Sequence, residues 1–152
     1  METKPKVGDT APDFEGQTSK DTQVRLRDYL GKRNVILYFY PKDDTKGCTI
    51  EACSFRDNYQ SMLSKGFDVI GVSTDNEKSH KKFASKFSLP FNLLADTEKD
   101  MVEKYGVWGE KMMFGRKYMG IIRTTFIIDE NGKIEKIIND VETEDHTKQV
   151  LA

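Results

Sequence analysis

Two cysteines, Cys48 and Cys53, are the residues whose chemistry and spacing stand out in this sequence. They are the only cysteines among 152 residues, too few for a disulfide-dense secreted scaffold. A thiolate is a nucleophile, and two neighbouring thiols in a reducing compartment serve chemistry more often than structure. The pair therefore predicts a redox or nucleophilic site.

Cys48 follows a polar loop at the predicted start of a helix. Apolar side chains recur every three or four residues from Cys48 to Leu63, and Thr45 can act as the N-cap of that helix. A cysteine in the first turn faces the partial positive charge of the helix N-terminus, which stabilises thiolate over thiol. The alternative is an inert buried cysteine, but the loop before Cys48 is polar.

The spacing of the two cysteines limits the bond that they can form. On an ideal helix, five residues turn by about 140° and rise by about 7.5 Å, which separates the Cα atoms by about 8.7 Å. Disulfides need Cα atoms closer than about 7 Å, so Cys48 and Cys53 can bond only after the helix start unwinds. The absence of C-x-x-C argues against a thiol–disulfide oxidoreductase. Cys53 could also be a core residue of the helix.

The elements around this loop alternate between extended and helical patterns, which indicates an α/β fold with a mixed sheet. No linker or repeat interrupts the chain, so we expect one domain over residues 1–152. Asn131-Gly132 marks the turn of a late hairpin. The predicted strands cover 14–18, 23–26, 34–40, 67–73, 91–95, 124–128 and 134–138, and the predicted helices run from Cys48 to Gly66, from Asp75 or Asn76 to Pro90, from Asp96 or Thr97 to Tyr105, and over 144–151.

Charge and hydropathy exclude several classes of partner. Lysine and arginine total 24 and aspartate and glutamate total 25, so the net charge of −1 favours neither nucleic acid nor an anionic membrane. The longest strongly apolar run, residues 35–40, is far shorter than the roughly 20 residues that cross a bilayer. The polar N-terminal residues have no apolar signal segment, so we expect a cytoplasmic protein.

The loop before Cys48 matches a known signature. Pro41-Lys-Asp-Asp-Thr45-Lys-Gly-Cys48 has the P-x-x-x-T-x-x-C pattern of peroxiredoxins, although Lys46 stands where many relatives carry proline. The five-residue step to Cys53 resembles the bacterioferritin comigratory protein/PrxQ subfamily. The resemblance continues through residues 11–14, 105–111 and 120–132 and covers essentially the whole chain. It implies a thioredoxin-like fold, in which helices flank a central mixed sheet and an N-terminal β-hairpin precedes it.

The resemblance also implies a reaction for the two cysteines. Cys48 would attack a peroxide and become a sulfenic acid, and Cys53 would resolve it to an intramolecular disulfide. Thioredoxin or a similar thiol reductant would then reduce that disulfide. The implied protein is a monomeric peroxidase for hydrogen peroxide and organic hydroperoxides that uses no metal, haem or flavin. A peroxide sensor, or a redox relay to a partner protein, is the alternative.

Four other residues take roles from the same resemblance. Thr45 would place its hydroxyl near the sulfur and the peroxide oxygens, and Pro41 would shield the sulfenate. Arg123 would supply a fixed positive charge, since a guanidinium stays charged and offers a rigid fork of donors. Glu51, one helical turn after Cys48, could orient Arg123. The alternatives are a surface cation at Arg123, a helix cap at Thr45 and a strand terminator at Pro41.

The remaining chemically notable residues are expected to be structural. His80 and His146 have no metal-ligand spacing with the cysteines, and both are expected on the surface. A group of methionines and aromatic residues before Arg123 is expected to pack in the core, although an apolar surface for organic hydroperoxides or a partner is the alternative. This group contains Met112, Met113, Phe114, Tyr118 and Met119.

Overall fold

A five-stranded mixed sheet forms the centre of the fold in the computed structural model, which describes residues 4–151. Helices cover both faces of this sheet, and two short hairpins lie beside it. The strands are β1 Glu15–Gln17, β2 Gln23–Arg25, β3 Asn34–Phe39, β4 Phe67–Ser73, β5 Asn92–Ala95, β6 Trp108–Met113, β7 Arg116–Ile121, β8 Thr124–Ile128 and β9 Ile134–Ile138. The α-helices are α1 Lys46–Ser64, α2 Glu77–Phe87, α3 Asp100–Lys104 and α4 His146–Leu151. A 3-10 helix spans Leu26–Asp28.

The central sheet has the strand order β5-β4-β3-β8-β9. Strands β3, β4 and β5 are parallel, whereas β8 pairs antiparallel with both β3 and β9. Because side chains alternate along a strand, the side chains of β3 pack into two different hydrophobic cores. Val35, Leu37 and Phe39 face the core that includes α3, while Ile36 and Tyr38 face the core under α1, α2 and α4. This explains the uninterrupted apolar pattern of the strand.

The helices begin and end close to the expected positions. Gly66, with φ +88°, follows the end of α1 in the left-handed conformation that favours glycine. The Asn76 side chain accepts a hydrogen bond from the Ser79 backbone N–H and caps α2. None of the described helices is both long and apolar enough to cross a membrane.

Helix α3 is shorter than predicted. The sequence predicts a helix from Asp96 or Thr97 through Tyr105, but the helix covers Asp100–Lys104. The Asp96 carboxylate accepts hydrogen bonds from the backbone N–H groups of Met101 and Val102, so it caps the helix from four residues upstream. Lys99 at φ +61° turns the chain between them.

The methionine-rich segment forms a hairpin that does not pack into the core. Within the described residues, strands β6 and β7 pair only with each other, and Phe114 and Gly115 make the turn with φ +53° and +77°. The expectation of core packing is therefore wrong, because no other strand extends this sheet and the side chains remain exposed. The exposed side chains of the hairpin are Met112, Met113, Phe114, Tyr118 and Met119.

Both histidines were expected on the surface, and both are completely buried. His80 lies on the α2 face that also carries Phe83, three residues on. His146 lies on the α4 face that carries Val150, four residues on. In each case the helical spacing points the imidazole toward the core.

Candidate active site

Cys48 lies at the third position of α1, where the chain turns back after β3. Thr45 occupies the N-cap position with φ −94° and ψ 159°, as expected. However, the Thr45 side chain makes no capping hydrogen bond, because its hydroxyl donates to the Lys42 carbonyl at 3.0 Å. The Cys48 side chain is 1% exposed, yet polar groups contact it. Cys48 thus belongs to the core under α1 and also contacts the polar Arg123 side chain.

Arg123 reaches Cys48 because their strands are neighbours. Phe39 at the end of β3 pairs with Thr124 at the start of β8, which places Arg123 beside the start of α1. Its Nη2 donates to Cys48 Sγ at 3.3 Å, and its Nη1 donates to Glu51 Oε1 at 2.5 Å. The structure thus brings Cys48, Glu51 and Arg123 together, although 75 residues separate the cysteine from the arginine.

The Glu51 carboxyl is fully buried, and its charge state depends on two opposing effects. Burial raises the pKa of Glu51 to about 7, although the neighbouring Arg123 guanidinium acts in the opposite direction. Among residues 4–151 its Oε2 has no hydrogen-bond partner, and His146 Nε2 lies 3.5 Å from it. Glu51 therefore neutralises Arg123 only in part near neutral pH.

Two cations face the sulfur. Partial burial opposes the charge of Arg123, but Glu51 and Cys48 favour it more strongly, so the pKa of Arg123 lies above its usual value. Lys111 on β6 donates from Nζ to the Ile121 carbonyl at 2.9 Å. Its pKa is lowered by partial burial and by Arg123, while Cys48 acts in the opposite direction. The sequence reasoning gave Lys111 no role, although this residue ends the 105–111 segment of the resemblance, because its hairpin was not predicted.

A groove of about 330 Å³ lies beside the Cys48 loop. Pro41 and Thr45 line one wall, and residues of the β6–β7 hairpin line the other. The exposed hairpin therefore contributes an apolar wall next to the reactive loop. The side chains of this second wall include Trp108, Lys111, Met113, Tyr118 and Met119.

Cys53 lies on the same uninterrupted helix as Cys48 and is half-buried. Both thiols are free. The five-residue step places the two cysteines about 1.4 helical turns apart on α1.

Gly47 is a site residue that the sequence reasoning passed over. A Cβ atom built on Gly47 would lie 3.3 Å from Arg123 Nη2, closer than most such contacts. The glycine thus lets the guanidinium approach the first turn of α1. The signal was available, because Gly47 directly precedes Cys48 in the signature.

A buried network fixes the loop between Pro41 and Thr45. The Asp43 carboxylate accepts hydrogen bonds from the hydroxyls of Tyr40 at 2.5 Å and Ser79 at 2.7 Å, and lies 2.7 Å from His80 Nδ1. The Asp43 N–H donates to Asp75 at 2.8 Å. Asp43, Asp75 and His80 have metal-ligating side chains within 4.8 Å of one another, but these hydrogen bonds already engage them. We assign the cluster to positioning the loop.

Comparisons with known proteins place the chain in a family. The AhpC/TSA family model matches residues 7–137. The putative peroxiredoxin bcp of Coxiella burnetii is 47% identical over 146 residues, which cover 96% of each chain. Peroxiredoxin Bcp of Bacillus subtilis is 45% identical, over 96% of this chain and 92% of its own.

Solved structures give the same picture. A cysteine-to-serine mutant of Xylella fastidiosa PrxQ superposes with a TM-score of 0.91 at 31% identity, covering 98% of this chain and 94% of that one. The bacterioferritin comigratory protein of Xanthomonas campestris, studied for alkyl peroxide reduction, superposes with a TM-score of 0.87 at 31% identity, over 97% and 93% of the two chains. The expected thioredoxin-like fold is confirmed. The chain belongs to the AhpC/TSA family as a peroxiredoxin of the Bcp/PrxQ type, and it is a peroxidase.

Proposed function

We propose that Cys48 is the nucleophile that reduces hydrogen peroxide and organic hydroperoxides. The observation that carries the proposal is the Arg123 guanidinium, which donates to Cys48 Sγ at 3.3 Å while Glu51 holds its other nitrogen. The thiolate sulfur attacks the terminal peroxide oxygen and forms an S–O bond, the O–O bond breaks, and the other oxygen leaves and takes up a proton as water or an alcohol. The sulfur is oxidised to a sulfenic acid.

Negative charge develops on the leaving oxygen as the O–O bond breaks. A fixed guanidinium and free N–H groups stabilise that charge more in the transition state than in the ground state. The first intrahelical bond of α1 runs from the Thr49 N–H to the Thr45 carbonyl, so the N–H groups of residues 46–48 remain available. These donors and Arg123 converge on the region in front of Cys48.

Thr45 and Pro41 complete the pocket. Because the Thr45 hydroxyl donates its proton to the Lys42 carbonyl, its lone pairs are free to accept a hydrogen bond from the peroxide. Pro41 lines the groove and limits access of water to the sulfenic acid. The apolar side chains of the opposite wall favour organic hydroperoxides as substrates beside hydrogen peroxide.

Cys53 resolves the sulfenic acid. Its thiolate attacks the Cys48 sulfur, a disulfide forms, and the oxygen leaves as water. Because both residues lie in one helix, the first turns of α1 must unwind first. A dithiol reductant such as thioredoxin then restores both thiols by disulfide exchange. We place this cycle in a monomer in the reducing cytoplasm, without metal, haem or flavin.

Stopped-flow oxidation of the reduced protein tests the proposal. Trp108, the sole tryptophan, lines the groove, so its fluorescence can follow each turnover. Cys48→Ser should abolish peroxide consumption. Cys53→Ser should keep one rapid oxidation of Cys48 and lose cycling with thioredoxin.

Two outcomes would contradict the proposal. Appreciable turnover by Cys48→Ser would exclude Cys48 as the nucleophile, and normal cycling by Cys53→Ser would exclude Cys53 as the resolving residue. A wild-type protein that forms a stable mixed disulfide with one client, without steady turnover, would support the redox relay instead.

A further inference from the structure

His146 lies directly behind the active-site carboxylate, on the last helix of the described chain. Its imidazole is completely buried and packs edge-on against Phe55, with ring centroids 5.2 Å apart. Its Nε2 lies 2.7 Å from the Thr125 hydroxyl and 3.5 Å from Glu51 Oε2. Helix α4 therefore contributes a titratable group to the wall of the site, and the proposed reaction has not yet used it.

The hydrogen bonds around the ring determine where its proton lies. His146 Nδ1 lies 2.8 Å from Gln149 Oε1, which also accepts the Glu142 N–H, while the Gln149 amide nitrogen donates to the Asp140 carbonyl. The amide orientation is thus fixed, and Nδ1 must carry a proton. Nε2 is then an acceptor in the neutral ring, and it faces both the Thr125 hydroxyl and Glu51.

Glu51 needs a partner on this side. Its Oε1 accepts a hydrogen bond from Arg123, but its Oε2 is buried and has no hydrogen-bond partner in the described part of the chain. A buried carboxyl oxygen without a partner is costly, and a proton on Oε2 could be accepted by His146 Nε2. Such a proton would satisfy Oε2, and it would compete for Nε2 with the Thr125 hydroxyl, which lies 2.7 Å away.

We propose that His146 is a positioning residue for the peroxidase site: it shares one proton with Glu51 Oε2, and so holds the carboxyl that keeps Arg123 on the Cys48 sulfur. The inference rests on the proposed role of Cys48 as the nucleophile. We call these two residues the Glu51–His146 pair.

The protonation of the pair sets the charge beside Arg123. Burial raises the pKa of Glu51 to about 7 and lowers the pKa of His146, so burial disfavours charge on both groups. When the shared proton leaves, a full negative charge remains next to the guanidinium. Arg123 then stabilises the leaving oxygen less, so the oxidation rate constant per thiolate falls as the pH rises through the inflection of the pair.

Four other charged or titratable residues lie around the Glu51–His146 pair and the Arg123 guanidinium. They are Cys48 on α1, Tyr38 on β3, Lys111 on β6, and Arg123 itself, just before β8. Variants of the pair must therefore be compared with the wild type at equal thiolate fraction. The ultraviolet absorbance of the thiolate gives that fraction at each pH.

Two substitutions should move the inflection in opposite directions. His146→Phe keeps the ring against Phe55 but removes the acceptor, so the protonated carboxyl loses its hydrogen bond and the inflection moves to lower pH by about 1 unit. We also expect oxidation to slow by about tenfold at neutral pH. Thr125→Val removes the hydroxyl that competes for Nε2, so the inflection moves to higher pH.

Val150→Ala provides the matched control. Val150 is buried on the same helix and has no recorded contact with the pair, so it reports the effect of loosening α4 alone. We expect oxidation within about twofold of the wild type and an unchanged inflection. The measurement is single-turnover oxidation of Cys48 by hydrogen peroxide across the pH range.

Each result decides between the claims. If the wild type does not oxidise Cys48, the proposed function fails and this inference fails with it. If the wild type reacts but His146→Phe behaves as Val150→Ala does, the positioning role is refuted while the proposed function stands. Should His146→Phe fail to fold, Thr125→Val decides, since a shift to lower pH or no shift would overturn the shared proton.

Discussion

Glu51 should make the folding stability of this peroxiredoxin depend on pH in an unusual direction. Its carboxyl is fully buried, and burial raises its pKa from 4.5 to about 7 despite the nearby Arg123. The folded state therefore holds a proton that the unfolded chain has already released. Glu51→Gln keeps the shape of the side chain and removes the titration.

The sign and the size follow from linkage. Below pH 4.5 both states bind the proton, and between 4.5 and about 7 only the folded state binds it, so stability falls as the pH rises. The interval of about 2.5 pH units, from 4.5 to 7, corresponds to about 3.5 kcal/mol in total at about 1.4 kcal/mol per unit. Above pH 7 the loss is complete.

Urea unfolding of the reduced protein at several pH values measures this effect. The free energy of unfolding of the wild type, minus that of Glu51→Gln, should fall by about 3 kcal/mol between pH 4.5 and pH 8. Glu103→Gln, at an exposed carboxylate of α3, controls for the loss of one negative charge. A difference that stays flat, or that rises with pH, would refute the reasoning from burial.

Three further predictions concern the helix start and the hairpin. Formation of the Cys48–Cys53 disulfide should speed hydrogen exchange over residues 46–53, because the helix must unwind; unchanged protection would contradict this. Gly47→Ala should slow oxidation of Cys48 severalfold in stopped flow, since the new methyl group would lie 3.3 Å from Arg123 Nη2. An unchanged rate would mean that the methyl group does not displace the guanidinium. Phe114→Asn should raise the melting temperature by about 2–4 °C, because asparagine adopts the left-handed turn conformation at a cost about 1 kcal/mol lower. Oxidation by hydrogen peroxide should stay unchanged, and a lower melting temperature would show that Phe114 stabilises the fold.

The strands that form the central sheet could be read from the sequence. Residues 67–73 match β4, and residues 124–128 and 134–138 match β8 and β9, because buried strands and Asn-Gly turns leave strong local patterns. The β6–β7 hairpin could not be read in this way. Its turn uses Phe114, a residue that rarely adopts positive φ, and its methionines form no core-facing pattern.

The site could be predicted only in part. The helix start, the two thiols and their spacing give Cys48 and Cys53 directly, whereas Arg123 and Glu51 came from the resemblance. Their contact depends on the pairing of β3 with β8, which no local pattern encodes. The burial of His80 and His146 was predictable from helical spacing, but their partners were not.

The start of α1 combines a Thr45 hydroxyl turned away from the helix, a glycine in the first turn, and no acidic side chain there. Each of these features makes the first turn easier to unwind. In the proposed cycle, the speed of unwinding sets how long the Cys48 sulfenic acid remains exposed to a second peroxide, which would oxidise it irreversibly to a sulfinic acid. The fraction of enzyme lost in each cycle is therefore a ratio of two rates, one proportional to the peroxide concentration and the other fixed by local helix stability. If the proposed cycle holds, a weakly capped helix keeps that fraction small, and some local stability is exchanged for a longer working life under high peroxide.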